Sequence, residues 1–253
     1  MAVSRQSRKR AIERIKAQEA RRRRRRQILV AAGGLLVAGG IAAAIVFTAG
    51  GGAAVGGPPA SELAPLSTLG TLQSAPAPGA AGSEGVPVPS AGPLTGTATK
   101  AAGQAVDGIT CDAGEQTLFH IHAHLTIFVN GTPRQVPAGI GIPGAVTTVT
   151  PAGPFISSGN CFYWLHTHAP DGIIHIESPV HRSYTLGEFF DEWGQPLGPD
   201  EVGPARGHVT AIYNGKVFLG NPRDIQLTAH AQIQLEVGAP LVAPESTNWP
   251  NGL

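Results

Sequence analysis

Phe119-His120-Ile121-His122-Ala123-His124 and Leu165-His166-Thr167-His168 place five histidines at every second position of apolar sequence. A period of two is that of a β-strand, in which alternate side chains leave the same face. Each run therefore predicts a strand that projects its imidazoles together. In the longer run Phe119, Ile121, Ala123, Leu125, Ile127 and Val129 form the apolar face, predicted to meet the core. His120, His122, His124, Thr126 and Phe128 occupy the other. Imidazole is the commonest protein ligand for transition metals, so the spacing reads as a metal site built on a β-sheet.

Turn chemistry sets the frame around these strands. Asn130-Gly131 and Asn214-Gly215 sit between β-branched and apolar runs and predict two-residue hairpins. Asp171-Gly172 predicts a third, with Pro170 opposite Ile173, His168 opposite His175 and His166 opposite Glu177. Thr185 and Glu188 form a capping-box pattern ahead of Phe189, Phe190 and Trp193, with Gly194 as the stop, which predicts one short helix. Strand signals resume at 208–213, 216–219 and 231–237. A short repeat, His-x-Thr followed by Asn-Gly, links His124–Gly131 with His208–Gly215. The expected fold is mainly β, an antiparallel sandwich or barrel with one short helix, spanning residues 107–240.

The charge distribution places this domain in the cell. Residues 1–27 hold twelve of the eighteen Lys/Arg residues against Glu13 and Glu19, whereas the remainder of the chain is net negative. The uncharged, apolar segment 28–47 follows directly after Arg21–Arg26. Twenty residues at about 1.5 Å each match a bilayer core of about 30 Å. The arginines before it predict a cytoplasmic N-terminus, a single transmembrane helix acting as signal anchor, and contact of Arg21–Arg26 with the anionic inner leaflet. A cleaved secretory signal has a shorter apolar region. Arg25-Arg26 also fits a twin-arginine export signal loosely. No aromatic residues interleave with the basic run, which argues against nucleic acid as a partner. Residues 48–106, rich in Gly, Pro and Ala, are expected to form a flexible linker, and 241–253 a tail. Outside the membrane, Cys111 and Cys161 are expected to form a disulfide.

The expected ligand set is His122, His124, His166 and His168, with His120, His175 and Glu177 at the margin. Such a set suits tetrahedral zinc or tetragonal copper(II). The sole methionine is Met1 and the cysteines are paired, so no sulfur ligand is on offer for a blue-copper centre or a copper(I) carrier. Glu177 could ligate, orient an imidazole, or act as general base toward metal-bound water. His181, His208 and His230 read as surface or structural residues. Three functions compete: a tethered extracytoplasmic metal-binding domain for storage, sensing or delivery; a metalloenzyme with three histidine ligands; and an adhesion or scaffold module whose histidines bind nothing.

Overall fold

The strands follow the turns. In chain order they are β1 (Leu63–Ala64), β2 (Cys111–Asp112), β3 (Phe119–Val129), β4 (Thr132–Arg134) and β5 (Val146–Thr150). Next come β6 (Gly153–Ser158), β7 (Phe162–Tyr163), β8 (Leu165–His166), β9 (Ile173–Ser178) and the helix α1 (Leu186–Trp193). The last are β10 (Leu197–Gly198), β11 (Glu201–Val202), β12 (Ala205–Arg206), β13 (Val209–Tyr213), β14 (Lys216–Phe218) and β15 (Ala231–Val237). This computed structural model describes residues 56–96, 99 and 102–253. The predicted basic segment and transmembrane helix lie outside the described residues. Among the described residues no helix is long and apolar enough to cross a membrane.

Both Asn-Gly pairs turn as their chemistry requires. Asn130 (φ 50°) and Gly131 (φ 73°) join β3 to β4, and Asn214 (φ 48°) and Gly215 (φ 73°) join β13 to β14. Positive φ at both central residues matches the right-handed twist of the flanking strands. The principal sheet has eight strands in the order β1-β14-β13-β15-β3-β9-β8, with β4 on β3. Its path is open, and β15 runs parallel to β3. An all-antiparallel sandwich or barrel was expected; the sheet is instead mixed. The parallel pair arises because β15 returns to the sheet centre, between β3 and β13, rather than to an edge. The two repeated hairpins thus flank one shared strand.

One face of the sheet carries the core. Phe119, Ala123, Leu125 and Ile127 of β3 pack with Ile174 and Ile176 of β9, Ile233 and Leu235 of β15, and Phe189, Phe190 and Trp193 of α1. The helix starts at Thr185, whose hydroxyl accepts from the Glu188 amide while the Glu188 carboxylate accepts from the Thr185 amide, and ends on left-handed Gly194. This is the predicted capping box.

The histidine face is also covered, and by unexpected chain. Residues expected to belong to the linker pair with the sheet edge: Leu63 lies opposite Phe218 and Ala64 opposite Val217. Gln73 bridges to Val242, so the expected tail packs too. Val86 and Val242 are each 1 % exposed. The Val242 amide donates to both oxygens of Glu236, at 2.9 and 3.0 Å. Sparse but fully buried valines, together with prolines that lose little entropy on ordering, make such packing affordable for a sequence without a conventional core pattern.

Candidate metal centre

Strand register brings the imidazoles together. Along β3 and β9, His120 lies opposite Glu177, His122 opposite His175 and His124 opposite Ile173. Directly opposed residues of an antiparallel pair share a face, so two histidines of β3 meet His175 and Glu177. On the other side of β9, His166 lies opposite His175. The predicted hairpin placed His168 there and His166 opposite Glu177, so the observed register is displaced by two residues. Thr167 explains it. Its amide donates to the Ile140 carbonyl at 3.1 Å and its own carbonyl accepts from Gly139 at 2.8 Å, drawing residues 167–172 into a longer connection. Gly141 (φ 72°) permits that approach, since a Cβ there would lie 2.2 Å from the Leu165 carbonyl oxygen. A shift of two preserves the face, and His166 and His168 still reach the cluster.

The ligand atoms of His120, His122, His175 and Glu177 lie within 4.8 Å of one another, as do those of His166, His168 and His175 and those of Glu115, His166 and Glu177. In the first group His122 Nε2 is 3.0 Å from His120 Nε2 and 3.1 Å from His175 Nδ1. Glu177 Oε1 is 3.1 Å from His120 Nε2 and 3.5 Å from His175 Nδ1. A four-coordinate shell with metal–ligand bonds of about 2.0–2.1 Å has edges of about 2.8–3.0 Å if square and about 3.3–3.4 Å if tetrahedral, and the four distances of this group lie close to that range. Buried His/Glu clusters on these strands could hold a metal ion. His120 is the exposed member, and a cleft bordered by Glu115, His120 and Leu253 opens the cluster to the surface.

Burial and the neighbouring carboxylates push the imidazoles of the site in opposite directions. His122 is pushed down to about 3, chiefly by desolvation and then by neighbouring His175 and His120. Desolvation also takes His166 well below the usual imidazole range and lowers His168. Neutral imidazoles are the metal-binding form. His175 goes the other way. Burial lowers it, but hydrogen bonds to Glu177 and Glu84 outweigh that and raise it to about 9. Glu84 Oε1 lies 2.7 Å from His175 Nε2. Among the described residues, Glu84 Oε2 and Glu177 Oε2 are buried without a hydrogen-bond partner. Buried carboxylate oxygens of this kind are costly unless a cation answers them.

His124 does not join the cluster. Its Nε2 is 2.8 Å from the Asp171 carbonyl and its Nδ1 2.7 Å from the Thr247 hydroxyl, so both ring nitrogens are engaged elsewhere. It was expected among the first four ligands; two residues beyond His122, it faces the Asp171 turn and the C-terminal segment. His175 and Glu177, expected at the margin, lie at the centre. Glu84 and Glu115 escaped the sequence reading, because neither lies on a strand with a period. His230 stacks on Trp249 at 4.5 Å, outside the cluster. Cys111 and Cys161 form the expected disulfide and no free cysteine remains among the described residues, which fits an extracytoplasmic domain. The chain matches no family model, no curated protein and no solved structure.

Proposed function

We propose that this chain is a membrane-anchored, extracytoplasmic metal-binding protein that holds a divalent ion, zinc or copper(II), for storage, sensing or delivery. His120, His122, His175 and Glu177 hold the ion. The four donor–donor distances of that group, 3.0, 3.1, 3.1 and 3.5 Å, carry the reading. The nitrogen and oxygen donor set and these distances suit both metals. Glu177 serves here as a ligand, which favours holding an ion over general-base catalysis. Anchoring by residues 28–47, with Arg21–Arg26 against anionic lipid, completes the proposal.

Equilibrium dialysis of the untagged full chain in detergent micelles against zinc tests it. Saturable binding that is lost in His122→Ala and retained in His208→Ala, whose side chain is exposed, is the expected outcome. Identical melting of chelator-treated and zinc-loaded protein would refute it, since an ion that binds only the native state must stabilise that state.

A further inference from the structure

Five imidazoles and three carboxylates converge here, more ligands than one ion takes. Extending the metal-binding reading above, we propose that the cluster is a two-ion centre. A second divalent cation is held by His166, His168 and Glu115, beside the one held by His120, His122, His175 and Glu177.

The two histidines near β8 are aimed by the backbone. His166 Nδ1 lies 2.8 Å from the Tyr163 carbonyl, and His168 Nδ1 lies 2.6 Å from the Ile156 carbonyl. A carbonyl only accepts, so each Nδ1 carries the hydrogen, and the neutral ring then presents a lone pair at Nε2. Those two Nε2 atoms are 3.1 Å apart. Two lone pairs held that close repel each other, and a cation ligated by both converts the repulsion into binding. Fixing the far nitrogen on a carbonyl is also how ligating imidazoles are oriented. Glu115 Oε1 is 3.5 Å from His168 Nε2 and supplies a third ligand.

Connectivity agrees with two ions. Glu177 belongs to both groups: its Oε1 faces His120, and it also groups with Glu115 and His166. Its Oε2 is buried and has no partner among the described residues. A carboxylate with one oxygen committed and the other unanswered is suited to bridge two ions.

The test is a count of bound zinc by mass spectrometry of the untagged full chain in detergent, dialysed to saturation. Two equivalents per chain support the inference. One equivalent overturns it while leaving single-ion binding intact, and none overturns single-ion binding as well. The wild-type count needs no variant, so it is immune to misfolding. The double variant His166→Ala/His168→Ala, checked for native circular dichroism, is expected to fall from two equivalents to one. A native-like variant that keeps two, or loses both, overturns the assignment of the second ion to these residues.

Discussion

Replacing Glu192 by leucine is expected to stabilise the domain, and increasingly so as pH rises. Glu192 lies on α1, fully buried, and neither carboxylate oxygen has a hydrogen-bond partner among the described residues. Burial, followed by nearby Glu188 and Asp107, raises its pKa well above the ordinary 4.5. The sign follows from proton linkage. Above the unfolded pKa the unfolded chain gives up this proton while the native state keeps it. The native state therefore binds more protons, and stability falls with rising pH by up to about 1.4 kcal/mol per unit until the folded pKa is reached. Below the unfolded value that penalty vanishes. An unsatisfied buried polar group costs about 1–3 kcal/mol, so Glu192→Leu, which is similar in size, should gain about 2 kcal/mol near pH 5 and progressively more toward pH 8. Urea unfolding of metal-free wild type and variant at pH 5, 6, 7 and 8 measures both terms. If the difference between the two proteins does not change with pH, Glu192 is not buried as a neutral acid and the reasoning fails.

Three further outcomes are expected. Cys111→Ala/Cys161→Ala releases a crosslink between residues 50 apart in sequence; loop entropy sets the loss at about 4 kcal/mol, and a guanidinium midpoint unchanged from wild type would contradict it. Glu84→Gln removes the carboxylate that hydrogen-bonds His175. Zinc affinity should drop about 10–100-fold with the melting of the chelated protein little changed, and unaltered affinity would show that Glu84 does not support the site. Gly172→Ala puts a Cβ 2.2 Å from the Leu125 carbonyl at a φ of 88°; a cost above about 1 kcal/mol in thermal melting is expected, and wild-type stability would mean that the turn relaxes freely.

Period and turn chemistry were legible in the sequence where they act locally. The two faces of β3, both Asn-Gly hairpins and the Thr185 capping box depend on residues within a few positions of each other. The parallel pairing of β15 with β3 was not legible, because a strand seven residues long carries no mark of its neighbour. The displaced register of β8 on β9 came from Thr167 bonding to residues 139–140, a partner distant in sequence. His124 had the right period but the wrong surroundings, since Thr247 claims its Nδ1. Glu84 lies in a stretch whose composition reads as linker. Its one local signal is rarity: Glu62 and Glu84 are the only acidic residues between 48 and 106.

The bond between Cys111 and Cys161 fastens β2 beside β7, where Cys111 lies opposite Tyr163. Glu115 follows the first sulfur by four residues, and His166 follows the second by five. A newly made, still reduced chain lacks the covalent tie that sets the spacing of those two donors. Reduction should therefore loosen Glu115 and His166 while sparing His120, His122, His175 and Glu177, whose spacing the pairing of β3 with β9 sets.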